Sequence, residues 1–248
     1  MKRNKSQSEH REIYVSKEDF EELRSDRGFI ILLTLARSVN ALYFCFRSLL
    51  DYSNDNTPTG LRQHINSFLF SGAVLYEALL VADKLEKHFG DRDSYHNGFG
   101  TLLKEGETKL LRKKILERIR NTSTFHYNEG VTRKTIKTID LPSYLFATGR
   151  GSSRSGTYYN LSDEMVIEFL FGGSESREEL DRVFRATLQR ISKLLVSFTE
   201  AADMLIGDIL AAGNWQLRKG NDKIQRKQRM GKPTAQEIEK VKKKGSKK

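Results

Sequence analysis

Residues 61–89 read LRQHINSFLFSGAVLYEALLVADKLEKHF, and this stretch decides the fold class. Ile65, Phe68, Leu69, Gly72, Leu75, Tyr76, Leu79, Leu80 and Leu85 recur in steps of three and four, the period of a helix that buries one face. Gly90-Asp91-Arg92-Asp93 stops the pattern. On the N-terminal side, Ser53 to Gly60 is a loop rich in Asn, Asp, Thr, Pro and Gly. Before that loop, Ser16 followed by Lys17-Glu18-Asp19 has the character of an N-cap with an acidic first turn, and predicts a helix to about Tyr52.

On the C-terminal side, Leu102, Leu103, Leu110, Leu111, Ile115, Leu116 and Ile119 predict a third helix over about Thr101 to Asn121. Ser176 and Glu179 have capping-box spacing and launch a fourth, Arg177 to Ala212. Asp163 to Phe171 is a short helix broken by Gly172-Gly173. Between Tyr127 and Phe146 the residues turn β-branched, which suits a short strand or an extended loop; the loop is the reading adopted. Residues 148–156 are a Gly, Ser and Arg linker. Only Pro58, Pro142 and Pro233 interrupt the chain, so long helices are free to form. The expected fold is all-α, a bundle of four main antiparallel helices plus a short one. The expected organisation is a flexible N-terminus over 1–16, a helical domain over 17–215 with a flexible insertion at about 128–160, and a basic tail over 216–248.

Charge is unevenly placed. Of the net +11, residues 216–248 hold thirteen Lys/Arg against Asp222, Glu237 and Glu239, a net +10, and residues 1–215 are left at +1. Such a tail attracts polyanions by counterion release, without sequence preference. Arg218, Lys219, Lys223, Arg226, Lys227, Arg229, Lys242, Lys243 and Lys244 are its candidate RNA contacts; a solvated, solubilising tail is the plainer reading. The lone Cys45, in an apolar run, rules out an internal disulfide and a cysteine-based zinc site, and fits a reduced, cytoplasmic protein. The N-terminus over residues 1–16 is polar and lacks an apolar segment, so a signal peptide is not expected there. Phe29 to Leu50 is the most apolar window, but it carries Arg37, Asn40 and Arg47, so a core helix is expected and no membrane partner. His64, His88 and His96 read as surface residues, and neither a metal nor a cofactor is expected.

The candidate chemistry lies in Ile119-Arg120-Asn121-Thr122-Ser123-Thr124-Phe125-His126-Tyr127. A guanidinium holds two phosphate oxygens at once and keeps its charge. An imidazole gives and takes protons near neutral pH. On an unbroken α-helix, six positions place Arg120 and His126 about 120° apart. Thr122-Ser123-Thr124 favours caps over helix interiors, so a break there is expected to let the two converge. Alternatively, Arg120 caps helix carbonyls and His126 is a half-buried packing residue. Glu77, in Leu75-Tyr76-Glu77-Ala78-Leu79, either pairs with Arg120 or stands solvated at the periphery. Arg37 and Asn40 either point at the site or mark its polar edge. Tyr127 either stacks on a base or joins the core.

Arg120, five intervening residues and His126, with Asn121 in the polar slot after the arginine, resemble the HEPN superfamily (higher eukaryotes and prokaryotes nucleotide-binding), especially its bacterial abortive-infection and toxin-type ribonucleases. The likeness rests on this motif and on the helical order over about residues 17–213. It implies a metal-independent endoribonuclease with Arg120, Asn121 and His126 as catalytic residues; Glu77, Tyr127 and Arg37, read from their own positions in the sequence, are the supporting candidates beside them. It implies a homodimer with RNA as substrate, and a role in phage defence or as a toxin with an antitoxin or defence-system partner. The alternative is a non-catalytic helical RNA-binding or scaffold protein that uses the basic tail.

Overall fold

Thr57 begins the central helix. Its hydroxyl accepts the Gly60 N–H at 3.0 Å and Pro58 occupies the first turn, where a missing N–H costs nothing. The computed structural model describes residues 11–14, 17–52, 57–124, 129–136, 160–172, 177–212 and 216–219. It divides into two units, Leu23–Ala212 and a terminal unit of Met1–Glu22 with Gly213–Lys248.

The larger unit is all-helical among its described residues. Helix α2 (Arg27–Tyr52) and α3 (Pro58–Ala82) lie side by side, and α9 (Arg177–Ala212) packs against both. Phe68, Leu75, Leu79, Phe99, Ile119 and Phe198 are fully enclosed at the centre. Between α2 and α3 the hydroxyls of Ser48 and Ser67 meet at 2.7 Å. The Cys45 thiol is buried beside Ser71 in the same seam, and burial pushes its pKa up. Helix α8 (Asn160–Phe171) covers the core near the third helical run.

The first predicted helix is two. It breaks at Arg24-Ser25, where α1 (Lys17–Leu23) has ended, and Asp26 caps a new start by accepting the Phe29 N–H at 2.6 Å. The second ends early. After Ala82, tight i to i+3 bonds from Lys84 to Val81 and from Leu85 to Ala82 turn the chain before α4 (Glu86–Phe89). The third is not continuous. After α5 (Asp93–Tyr95) come a π-helical segment, π1 (His96–Gly100), a lapse at Leu103-Lys104-Glu105, and α6 (Gly106–Leu111). The chain then widens twice, into π2 (Arg112–Leu116) and π3 (Ile119–Thr124). Segment π1 sits tight on α9, since a Cβ at Gly98 would meet the Ala201 Cβ at 3.1 Å and its Cα at 3.2 Å. The segment read as a loop after Tyr127 holds a helix, α7 (Glu129–Thr135), so the expected flexible insertion at 128–160 is in part helical. A Glu129–Arg133 pair with the acid N-terminal favours helix over the local β-branched preference.

In the terminal unit, β1 (Arg11–Tyr14) pairs antiparallel with β2 (Gln216–Lys219), Arg11 opposite Lys219 and Tyr14 opposite Gln216. The N-terminus is therefore not flexible throughout 1–16, and the tail begins as a strand.

Helix α2 departs from the expected core helix. Leu32, Leu35, Val39, Leu42 and Leu49 are buried, but Ile30, Leu33, Phe44 and Leu50 stand exposed. By length and composition both α2 and α3 are apolar enough to cross a membrane, with α3 mostly enclosed in the protein and α2 mostly not.

His64 is the histidine that departs from the surface reading. Its ring lies 6.4 Å from that of Phe184 on α9, and its Nδ1 is buried with no hydrogen-bond partner among the described residues. Burial, and then the nearby Arg185 charge, lower its pKa below the ordinary 6.5. The fold therefore holds the neutral ring, and the unfolded chain takes the proton first as pH falls. This contribution is complete above about pH 6.5 and is lost below it. Urea midpoints should fall between pH 7.5 and 5.5 more for the wild type than for His64→Leu; parallel declines would contradict the assignment.

Candidate functional site

Gly72 of α3 leaves a hollow that Ile119 fills. A Cβ at position 72 would stand 2.8 Å from Ile119 Cδ1 and 3.2 Å from its Cγ2. Ile119 is fully buried and opens π3, so this contact seats the wide turn on α3. The next residue, Arg120, emerges at the surface. Its Nε donates to Glu77 Oε1 at 2.7 Å and its Nη1 donates to Asn121 Oδ1 at 3.0 Å. Glu77 belongs to α3, just over one turn past Gly72. The two alternatives for Glu77 thus resolve to the ion pair.

The Arg120 and Glu77 side chains are 38% and 46% exposed. An ion pair this open contributes about 0–1 kcal/mol to stability. Its effect is directional: it fixes the plane of a guanidinium whose charge faces water. Two of the five N–H donors of an arginine are committed here, and Nη2 has no partner among the described residues. That is the arrangement a phosphate oxygen requires, a cation held in place with donors to spare.

The other expected members divide. Asn121 is exposed and orients Arg120. His126 and Tyr127 lie outside the described residues, and so does the convergence of His126 on Arg120. The expected break at Thr122-Ser123-Thr124 does not occur: the backbone stays helical through Thr124 in the wider π form, which sheds the α-pattern without needing caps. Arg37 is exposed on α2, and its place follows from the packing of α2 on α3. The Phe44 and Phe70 rings meet at 6.4 Å, edge to face. Two turns back from Phe44 is Arg37, and two turns on from Phe70 is Glu77, so these antiparallel helices set Arg37 level with Glu77. Of the tail residues, Arg218 and Lys219 lie in β2, and Lys223 onward lies outside the described residues.

Two further arginines on the same run escaped the sequence reading. Arg112 makes a bidentate pair with Asp83 at 3.0 and 2.5 Å, and its guanidinium lies 5.9 Å from the Tyr76 ring centre. The hydrogen bonds to Asp83 raise its pKa further. Arg118 donates to the carbonyls of Phe169 and Leu170 at the C-terminus of α8, at 2.5 and 3.2 Å, and stacks 4.8 Å from the Phe169 ring centre. Carbonyls at a helix end attract a cation. No residue type near Arg118 in the sequence announces this contact, because its partners are backbone atoms.

A small cleft of about 30 Å³ between α6 and α9, beside Thr108 and Arg190, has room for roughly one water and is apart from Arg120. Among the described residues no three His, Cys, Asp or Glu side chains are grouped to hold a metal ion. The chain matches no protein-family model, and no curated protein or solved structure shows significant similarity to it.

The geometry separates two arginines two residues apart. Thermal melts should show Arg118→Ala losing more stability than Arg120→Ala, whose cost should stay within about 1 kcal/mol. The reverse order would make Arg120 a structural residue and remove it from the site.

Proposed function

We propose that this chain is a cytoplasmic, HEPN-type endoribonuclease that needs no metal, folded as a four-helix bundle with a basic tail. It acts as a homodimer in phage defence or as a toxin, with an antitoxin or defence-system protein as partner. The observation that supports this reading most is the placement of Arg120: its side chain is 38% exposed and is oriented by Glu77 and Asn121.

In this reading His126 takes the proton from a ribose 2′-hydroxyl, or supplies one to the leaving 5′-oxygen, with water as the partner in the other transfer. The 2′-oxygen attacks phosphorus, and the bond to the 5′-oxygen breaks as that oxygen takes a proton. Arg120 faces the charge that builds on the phosphorane. Asn121 and Glu77 fix the guanidinium plane, and an oriented donor is worth more in the transition state than a mobile one. The products carry a 2′,3′-cyclic phosphate and a 5′-hydroxyl. Tyr127 and Arg37 flank the site as support. The tail, with Arg226, Lys227, Arg229 and Lys242 to Lys244, adds sequence-independent attraction for RNA. Its net charge beside a nearly neutral body also favours a second reading, a non-catalytic RNA-binding or scaffold protein.

Cleavage of RNA in EDTA separates the two. Wild type should cut and leave cyclic-phosphate ends, while His126→Ala and Arg120→Ala should each lose on the order of 100-fold or more in rate. Equal rates in wild type and both variants, or no cutting by any of them with binding intact, would favour the scaffold reading.

A further inference from the structure

One face of the larger unit carries rings and cations together, and the core uses neither. Phe44 of α2 and Phe70 of α3 are 65% and 39% exposed, and their rings meet edge to face at 6.4 Å and 85°. In such a pair one ring spends only its edge on the other, so ring faces stay open to a third flat group. Seven positions on a helix are about 20° short of two turns, so Arg37 stands on the same side of α2 as Phe44, and Glu77 on the same side of α3 as Phe70. Both lie about 10 Å along their helices from the ring pair, and in the same direction, because α2 and α3 run antiparallel. Glu77 holds Arg120 there at 2.7 Å. Asn40 is exposed between Arg37 and Phe44, and Arg47, 81% exposed, follows Phe44 on the far side.

We infer that Phe44 and Phe70 form a stacking site for an unpaired base of the RNA strand whose phosphate Arg120 holds. This site rests on the reading of Arg120 as a phosphate contact, and it lies on helices that the motif around Arg120 does not include. A single strand offers a charge and a flat ring at every repeat. The surface that takes it needs cations in a line and ring faces beside them. Here Arg37 and Arg120 stand at one end, Arg47 at the other, and the two rings between. Glu77 and Asp51 are matched by Arg120 and Arg47, which leaves the charge of Arg37 in excess among these residues. The Asn40 amide adds a donor and an acceptor beside the rings, suited to a base edge.

The order of residues along α2 favours this occupant over an apolar one. Past Arg37 the exposed side continues to Leu33 and Ile30. An apolar partner, protein or lipid, would use those two side chains as much as the rings. It would also have to cover Arg37, Asn40 and Arg47, and a charge in hydrocarbon is expensive. A nucleic-acid strand takes the cations and the rings and leaves Leu33 alone. Every base has a π-face, so the site tolerates any sequence, but a base already stacked within a duplex has no face to give.

Binding of the full chain to a short unpaired RNA, made uncleavable by 2′-O-methylation, tests the site. Phe44→Leu and Phe70→Leu keep an apolar side chain and remove the ring. Each should weaken binding about tenfold, the order of one lost stacked base, with helical circular dichroism unchanged. The salt slope should stay the same, because no phosphate contact is lost. Leu33→Ala should bind as wild type does. Phe44→Trp should bind, and the strand should quench its fluorescence well beyond any change at Trp215, the single native tryptophan. The same strand with its bases removed should not distinguish Phe44→Leu from wild type. Phenylalanine variants that bind as wild type does, an equal loss in Leu33→Ala, no added quenching in Phe44→Trp, or phosphatidylglycerol vesicles that bind through Leu33 and Phe44 alike would each overturn the inference. Cleavage separates this failure from failure of the proposed function. Lost cutting in Arg120→Ala beside unaffected phenylalanine variants would remove the stacking site alone, whereas stacking without any cutting would remove the nuclease and keep the site.

Discussion

The contact between Ile119 and Gly72 is the constraint from which the site follows. An isoleucine with no exposed surface fills the space that a side chain at position 72 would otherwise occupy. That insertion brings π3 against α3 closely enough for the next residue to reach Glu77. The free energy lies in the buried apolar contact, and the polar pair rides on it at little cost or gain. Because the isoleucine rather than the ion pair carries the packing, Arg120 is available for chemistry without endangering the fold.

Three arginines on one helical run show how environment assigns different work to one residue type. Arg112 is tied in bidentate fashion to Asp83 and packed over Tyr76. Arg118 closes the end of α8 on backbone carbonyls. Arg120 is held differently, by a single carboxylate oxygen and by its own neighbour Asn121. The π-helical widening at Arg112–Leu116 and Ile119–Thr124 changes which way successive side chains leave the axis. Such widenings are rare and recur at functional sites.

Much of this was legible in the residues. The step pattern from Ile65 to Leu79 gave α3, and the capping-box spacing at Ser176 and Glu179 located α9 with its ends at Arg177 and Ala212. Arg120 with Asn121 stood out because a fixed charge beside an amide is a chemical signal independent of fold. The rest was hidden for physical reasons. The break before α2 depends on one Asp26 cap inside an otherwise continuous pattern. The π segments leave the same apolar positions inward, so periodicity cannot distinguish them from an α-helix. Helix α7 runs against its β-branched composition. The open side of α2 was invisible because hydrophobicity says that a residue prefers burial, not whether a neighbour is present to bury it. Pairing of the two chain ends in β1 and β2 is a long-range event with no local sign.

In the proposed function Arg120 is a phosphate contact held ready at the surface. The most direct measurement is the salt dependence of binding to a short RNA made uncleavable by 2′-O-methylation, compared between wild type and Arg120→Ala. Loss of one phosphate contact should weaken binding and reduce the slope of log affinity against log salt by about one. Superimposable lines for the two proteins would mean that Arg120 never meets the RNA backbone, and the account would be wrong at its centre.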